Sequence, residues 1–452
     1  MDPDRSSHPR SSGSGALRRS ARALSGRPAV TASNPYLIRR HTKRPAAGAP
    51  TAVDLFSGAG GLTLGLVDAG FDVRLSSDWD VACEATHNRN LPQVPFVRTS
   101  VENLSGPEIL ERTGLKAGEL DLLVGGPPCQ GFSIIGQRQI WDPRNGLVRH
   151  FIRIAEELKP RCVVIENVPG LATLEQGAVL REIGRLFNEA GYVVECAELL
   201  AAQYGVPQMR WRMFFIAWRL DQGRRGGFPQ PTHGSSGIGD LLPNRTISAS
   251  ETKGFLTIGD AIGDLPAIEA GECKDRYEGG PKTAYQVAMR DQQPNDLGNH
   301  YAARLAAQNL ARIRSLKPGQ DWRDLPLALL PGGMQRAHRK DHTRRYRRMK
   351  WDGVARSIIT RFRDPKSGEY THPEQHRTIS IREAARIQSF PDWFVFEGSY
   401  TQQYDQVGNA VPPLLGRAVA VELAKMLRSA TDEDAAPVKS RYRMPASIRA
   451  AE

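Results

Sequence analysis

The sequence has no run of about 18 or more apolar residues, the length that a transmembrane helix requires, so a membrane span is excluded. Cysteine is scarce: five residues are scattered over 452 positions, with no CxxC pair. This usage argues against a disulfide framework and a structural zinc site, and favours a reducing compartment. The chain is 40% hydrophobic and 24% charged, as in soluble globular proteins, and its length predicts two or three domains.

Acidic residues are scarce in two segments that are rich in Lys and Arg, and the positive charge of these segments accounts for the net charge of +12. Residues 1–50 carry +8 and residues 336–350 (RAHRKDHTRRYRRMK) carry +7; subtracting both from +12 leaves −3 for the rest. A concentrated basic segment within a folded region indicates contact with a polyanion, although it could also be a solvated helix face.

The first fifty residues also lack apolar periodicity, and they are rich in Ser, Arg, Gly, Ala and Pro. We predict that residues 1–50 are disordered. A secretory signal is excluded because no apolar core region is present. An organellar transit peptide remains an alternative to the favoured interpretation, a non-specific arm for nucleic acid.

The most informative stretch is DLLVGGPPCQGFS (121–133). A short apolar run stops at Gly125-Gly126-Pro127-Pro128, which predicts a buried parallel strand ending in a stiff loop. Cys129 follows directly, at the carboxyl end of a strand, where ligands and chemistry collect in open α/β sheets. Cys129 is therefore a candidate nucleophile, with a buried structural cysteine as the alternative.

A second strand end carries the pattern of a nucleotide site. The segment TAVDLFSGAGGLTLGLVDAGF (51–71) predicts a strand, a glycine turn and a helix, whose N-terminus offers free N–H groups. The next predicted strand ends in Asp78 and Trp79, an acid about twenty residues after the turn and a flat apolar ring. The alternative is a tight turn beside a core tryptophan.

Further strands alternate with helices over residues 51–218, which predicts a mostly parallel sheet. The strand RCVVIENVPG ends in Glu166, a carboxyl group whose burial would raise its pKa, or which could instead cap the next helix. Residues 219–350 are irregular, except for a predicted helix at 303–316. A β-like stretch at 351–360 and helices at 380–390 and 414–428 follow, and we expect disorder after Ser429.

Five segments in order resemble the motif set of the DNA (cytosine-5) methyltransferases: DLFSGAGG (54–61), GGPPCQGFS (125–133), ENV (166–168), QMRWR (208–212) and GNAVPP (408–413). The resemblance implies a Rossmann-like, S-adenosylmethionine-dependent α/β methyltransferase fold with a smaller, irregular target-recognition domain. It implies a tail at 1–50, a catalytic and cofactor-binding domain at 51–218, target recognition at 219–376, a C-terminal return at 377–428 and a tail at 429–452.

The resemblance also implies the catalytic roles. Cys129 adds to C6 of cytosine, and Glu166 protonates or hydrogen-bonds N3. Arg212 holds the cytosine O2, Arg210 orders the loop and a phosphate, and Pro128 fixes the loop geometry. Residues 134–142 are similar to a mobile loop that closes over the flipped base.

For the cofactor S-adenosylmethionine, the resemblance implies an adenine contact from Phe56, with Trp79 on or near the ring and Asp78 on the ribose. Gly58 and Gly60 are expected to let the methionine portion approach, and the other side is expected to be lined by Leu147 and Asn409. The family often has an acid where this chain has Ser100, so Ser100 is left without a firm role.

The partner implied is double-stranded DNA. We expect phosphate and base contacts from the 219–376 region, with DNA-binding candidates Arg344, Arg345, Arg347, Arg348 and Thr360. The enzyme is expected to be a bacterial, cytoplasmic, nucleoid-associated monomer without membrane contact. It could be the modification enzyme of a restriction–modification system, with a separately acting restriction endonuclease.

Two other functions are weighed against this one. The first is a cytosine-5 methyltransferase that acts on tRNA; the basic recognition region and the residues QGFS after Cys129 argue against it. The second is a non-catalytic DNA-binding module, which would have no use for Cys129, Glu166 and Arg212 together.

Overall fold

The computed structural model describes residues 34–128, 146–172, 177–224, 226–234, 253–291, 296–336 and 344–429. Within these ranges the strands are β1 Thr51–Leu55, β2 Asp72–Asp78, β3 Phe96–Arg98, β4 Leu122–Gly125, β5 Cys162–Asn167, β6 Tyr192–Leu200, β7 Gln208–Met209, β8 Trp211–Arg219 and β9 Ala355–Arg356. The helices are α1 Gly61–Asp68, α2 Val81–Asn90, α3 Gly106–Thr113, α4 Gly146–Leu158, α5 Ala178–Glu189, α6 Ile258–Ile262, α7 Ala284–Met289, α8 Ala307–Arg314, α9 Gly332–Gln335, α10 Ile381–Ile387, α11 Tyr400–Asn409 and α12 Pro413–Arg428.

A seven-stranded sheet in the order β3-β2-β1-β4-β5-β8-β6 forms the centre. β1 to β5 pair in parallel, whereas β8 runs antiparallel between β5 and β6. The mostly parallel α/β sheet expected from the alternating pattern is confirmed. The carboxyl ends of β1 and β4 are in register, since Leu55 pairs with Gly125. The segments that follow β2, β1, β4 and β5 therefore leave the sheet side by side at one edge.

Alternate residues of each strand pack into two apolar layers. Ala52 and Leu122 face the layer built with α1, α10 and α12. Val53 and Leu123 face the other layer, built with α3, α4 and α5. The sheet is thus covered on both faces, as parallel sheets are. Among the described residues, no helix is both long and apolar enough to cross a membrane.

The region expected to form the recognition domain divides into two parts. α6 and α7 contribute apolar residues to the same layer as α10 and α12. A separate small core belongs to the segment from α8 onwards, and it consists of Leu316, Trp322, Leu325, Leu330, Met334 and Tyr346. The predicted β-like stretch at 351–360 contains a strand only at Ala355–Arg356.

The prediction that residues 1–50 are disordered is wrong for residues 34–50, which we call the N-terminal strap. Tyr36 and Ile38 of the strap are buried in the main core. The Trp393 indole donates to the Ile38 carbonyl at 3.3 Å, and Arg44 makes a two-point ion pair with Asp72 at 2.7–2.8 Å. Low apolar periodicity does not exclude order here, because two side chains and several carbonyls suffice to hold an extended segment. Residues 1–33 and 430–452 lie outside the described residues.

Candidate active site

The predicted nucleophile loop begins at the end of β4, beside the end of β5. The Asn167 side-chain amide donates to the Pro127 carbonyl at 3.0 Å. A Cβ on Gly126 would lie 3.2 Å from Oε2 of Glu166, so glycine keeps the chain close to that carboxyl group. Pro128, which is exposed, is the last described residue before the gap. Cys129 and the predicted mobile loop 134–142 lie outside the described residues.

Glu166 and Arg212 meet in a buried ion pair. β5 and β8 are antiparallel neighbours, and Nε of Arg212 lies 2.7 Å from Oε1 of Glu166. Burial raises the pKa of Glu166, while the charges of Arg212 and Arg210 act in the opposite direction. Among the described residues the Glu166 carboxylate pairs with Arg212 rather than with a helix N-terminus, and the Asn167 side chain accepts from the Val168 N–H. Burial therefore raises the pKa of Glu166 even though a guanidinium is its direct partner.

Arg210 joins three segments that are distant in sequence. Its buried guanidinium donates to the carbonyl of Ile358 at 2.5 Å and to the carbonyls of Gly408 and Ala410 at 3.0 Å. Gly408 must be glycine, because an added Cβ would collide with the Thr360 backbone. None of these carbonyls belongs to the nucleophile loop, so the loop-ordering role of Arg210 stays a prediction, and its burial argues against the predicted phosphate contact. Thr360, half-buried, and Asn409, exposed, are held beside the β7–β9 pair by this anchor.

The candidate cofactor site is built by the ends of β1 and β2. The Gly58 N–H donates to Oδ2 of Asp78 at 2.9 Å, and the Asp80 N–H donates to Oδ1 at 3.1 Å. Burial raises the pKa of Asp78, although these backbone donors oppose the shift. Trp79 is 72% exposed. The alternative of a core tryptophan in a tight turn is therefore wrong, since the ring is open to a ligand.

The two glycines expected to admit the cofactor differ. Gly58 has φ of 53°, and a Cβ there would meet nothing within 4 Å, so the backbone borders open space. Gly60 has φ of 94°, and a Cβ there would lie 3.0–3.1 Å from Leu91 and His87. Glycine at position 60 is thus required by the turn and by packing behind it. Close approach to a ligand is a reason for Gly58 alone.

The remaining cofactor candidates lie around the same edge. Phe56 is half-buried with φ of 57°, and its ring centroid is 6.5 Å from that of Phe151 on α4. Leu147 is half-buried one turn before Phe151, so it lies on the same side of α4. Ser100 caps a short 3₁₀ helix: its hydroxyl accepts from the Glu102 N–H at 3.4 Å and contacts the Glu102 carboxylate at 3.2 Å.

The four arginines predicted to bind DNA do not share one environment. Arg344 and Arg345 are exposed, and Arg347 is half-buried. Arg348 is 2% exposed. Its guanidinium donates at 2.7–2.8 Å to the carbonyls of Leu316, His372, Gln375 and Ile313. A buried guanidinium occupied by protein carbonyls has no edge to offer to a phosphate, so the prediction is wrong for Arg348.

Sequence reasoning missed two residues that shape the site. Asn167 stands within the quoted ENV segment, but only the structure gives its amide a partner on the nucleophile loop. Asp54 is buried below the glycine turn and accepts from the Thr63 hydroxyl at 2.6 Å. In the sequence, Asp54 could have been recognised as unusual because it is an acidic residue within an otherwise apolar strand.

The fold and the site define an α/β methyltransferase. It has a doubly covered, mostly parallel sheet with one antiparallel strand, an acid at the end of β2 followed by an exposed indole, and a buried carboxyl–guanidinium pair between β5 and β8. A family model described as C-5 cytosine-specific DNA methylase matches residues 51–425. The chain belongs to this family and is a DNA cytosine-5 methyltransferase.

Relatives and solved structures agree with this assignment. Type II methyltransferase M.AgeI of Thalassovita gelatinovora is 34% identical over 422 residues, which cover 81% of this chain and 97% of the relative. Type II methyltransferase M.XorII of Xanthomonas oryzae pv. oryzae is 35% identical, covering 84% and 85%. A crystal structure of a prophage-encoded E. coli protein described as a DNA modification methyltransferase superposes with a TM-score of 0.62 at 25% identity, covering 84% of this chain and all of that one.

Proposed function

We propose that this enzyme methylates C5 of cytosine within a specific double-stranded DNA sequence, through base flipping and a covalent bond between Cys129 and C6. The observation that carries the proposal is the buried pair of Glu166 and Arg212 at the strand edge where the loop to Cys129 begins. A target carbon inside a duplex is inaccessible, so the base must leave the stack to reach this edge.

The residues present divide the work of activating the ring. The Cys129 thiolate donates its electron pair to C6, and the charge that develops is taken up at N3, where Glu166 supplies a proton or a hydrogen bond. Arg212, the ion-pair partner of Glu166, is proposed to donate a hydrogen bond to O2 of the same ring. After C5 has gained the methyl group and lost its proton to a base, the C6–S bond breaks and the thiolate leaves. The buried charges of Glu166 and Arg212 are suited to stabilising the charge that develops on the ring, because they are already in place before the reaction.

The donor of the methyl group is proposed to be S-adenosylmethionine, whose sulfonium carries an electrophilic methyl. The chain fits this group: Trp79 and Phe56 offer aromatic surfaces for adenine, and Asp78 offers carboxylate oxygens to ribose hydroxyls. The open space at Gly58 leaves room for the amino-acid portion. Leu147 and Asn409 are proposed to line the opposite wall.

The biological setting follows from the relatives. Both proteins quoted above carry the name Type II methyltransferase, so we propose that this chain is the modification enzyme of a restriction–modification system. Its restriction endonuclease is proposed to act separately, with the methyltransferase working as a monomer on DNA in the cytoplasm.

The direct test is the variant Cys129→Ser, assayed for methyl transfer to duplex DNA and to tRNA. We expect it to bind S-adenosylmethionine and DNA like the wild type while methyl transfer falls by at least about 10³-fold, since a hydroxyl is a far weaker nucleophile than a thiolate. Cys273→Ser is the matched control, because Cys273 is exposed and lies in another part of the chain.

Near wild-type transfer by Cys129→Ser would refute the covalent mechanism, and activity on tRNA alone would refute the DNA substrate. Bisulfite sequencing of DNA from cells that express the enzyme then gives the recognised sequence.

A further inference from the structure

The largely buried carboxylate of Glu369 is shared by three arginines. Nη1 of Arg344 lies 3.4 Å from Oε2, Nε of Arg347 lies 3.3 Å from Oε1, and Nε of Arg356 lies 4.0 Å from Oε2. We call these four residues the Glu369 cluster. One carboxylate neutralises one guanidinium, so the cluster keeps a local charge of about +2.

The neighbouring acid does not remove this excess. Asp321 lies 3.6 Å from Nη1 of Arg347, but Arg323 already makes a two-point contact with it at 2.5 and 2.9 Å. Burial lowers the pKa of Arg356, and the charges of Arg344 and Arg347 lower it further, while Glu369 acts in the opposite direction. Repulsion among the arginines therefore remains, and an anion would relieve it.

Two of the three arginines are also more open to solvent than the carboxylate that they share. The side chains of Arg344 and Arg356 are 41% and 49% exposed, whereas that of Glu369 is 12% exposed. Glu369 thus lies beneath the guanidinium groups and holds them from one side. An internal ion network would bury all of its cations and balance its charge, whereas this cluster exposes Arg344 and Arg356 and keeps a positive charge.

The cluster lies next to the active site. Arg356 is in β9 and pairs in register with Met209 of β7, the residue before Arg210. Two residues after Arg356, the Ile358 carbonyl accepts from Arg210, and the Thr360 backbone packs on Gly408. The short β7–β9 pair consequently connects the Glu369 cluster to the segment that carries Arg210 and Arg212.

From this arrangement we infer that the Glu369 cluster binds a backbone phosphate of the DNA strand that carries the target cytosine, and that Arg356 is a DNA-contacting residue. Guanidinium groups suit phosphate because they donate two parallel hydrogen bonds to its oxygens. Glu369 is a positioning residue that orients the three donors. The inference rests on the proposed function, since it assumes that the strand delivers its cytosine to Glu166.

The test compares Arg356→Ala with the wild type in equilibrium binding to duplex DNA at several salt concentrations. Loss of one phosphate contact should weaken binding roughly tenfold and reduce the slope of log K against log salt by about 0.9. Arg356→Lys keeps the charge and should keep most of the slope. S-adenosylmethionine binding should stay unchanged, and KM for DNA should rise by a larger factor than kcat falls.

Arg112→Ala is the matched control, because Arg112 is also half-exposed and paired with one carboxylate, but lies on α3 in the layer with α4. It should leave affinity and slope unchanged. In a phosphate ethylation interference experiment, ethylation of one phosphate near the target cytosine should weaken DNA binding by the wild type but not by Arg356→Ala.

An unchanged slope and interference pattern for Arg356→Ala would overturn the inference and leave the cluster as an internal ion network. Because binding is measured without turnover, this result is distinguishable from failure of the catalytic proposal, which Cys129→Ser tests.

Discussion

Asp54 has an environment that few acidic residues share. It lies in β1 at the centre of the sheet and accepts from the Thr63 hydroxyl, which also lies 3.3 Å from the Ser76 hydroxyl. Burial raises the pKa of Asp54 to about 7, against an ordinary value of 3.8. The hydrogen bond joins the strand to α1 across the glycine turn, so Asp54 stabilises the wall of the candidate cofactor site.

The variant Asp54→Asn tests this assignment. A carboxyl group with a raised pKa in the folded state favours folding when protonated, so wild-type stability is lost as pH rises from about 4 to about 7. Asn keeps the acceptor for Thr63 and does not titrate. The difference between the free energies of unfolding of the variant and of the wild type should therefore shift in favour of the variant as pH rises across this window, by up to about 4 kcal/mol.

Urea denaturation at a series of pH values measures this difference. A difference that stays constant between pH 4 and pH 8 would show that Asp54 is ionised at an ordinary pKa.

The N-terminal strap is the element whose role is least evident from its composition. Arg417 of α12 donates to the Leu37 carbonyl at 2.6 Å, and the Tyr36 hydroxyl lies 3.0 Å from Nε2 of His233. The strap thus contacts the C-terminal helix and the segment after β8. It extends the folded unit beyond the first strand of the sheet.

Replacing Ile38 by Ala should lower the free energy of unfolding by about 2–5 kcal/mol, because Ile38 is completely buried and its loss leaves a cavity. Lys43→Ala, an exposed position in the same strap, should change it by less than about 0.5 kcal/mol. Chemical denaturation of both variants gives the comparison. Equal stabilities would mean that the strap is not part of the cooperative unit.

At the scale of the whole molecule, an early helix of the sheet contacts the last described helix. α1, directly after β1, packs on α12, near the end of the described chain. A Cβ on Gly65 would lie 2.6 Å from the Arg417 nitrogen and 2.8 Å from the Gly416 carbonyl carbon. The glycine lets the two helix backbones touch, and this contact holds the GNAVPP segment beside the glycine turn.

Gly65→Ala should therefore separate α1 from α12 and lower the Tm by several degrees, since backbone atoms cannot yield as side chains do. Binding of S-adenosylmethionine should weaken with it. Gly254→Ala is the control, because an added Cβ there meets nothing within 4 Å. A Tm for Gly65→Ala within about 2 °C of the wild type would contradict the close packing of the two helices.

Local order was well predicted from the sequence. α4, Gly146–Leu158, falls within the predicted alternation of strands and helices over residues 51–218, and β2 ends at the predicted Asp78. An apolar period, or a run broken by glycine and proline, is set by neighbouring residues, so it can be interpreted without the fold. The predicted helix at 303–316 is shorter, Ala307–Arg314, since helix ends depend on caps and on packing.

The sequence by itself determined the α/β class, the order of the motifs and the type of chemistry, because each depends on residues close together in the chain. Only the tertiary structure decided that Arg348 is buried while Arg356 is open, that residues 34–50 are ordered, and that Glu166 is paired with Arg212. Burial and ion pairing depend on which distant segments pack together. The same residue type can therefore hold protein carbonyls at one position and face solvent, beside a shared carboxylate, at another.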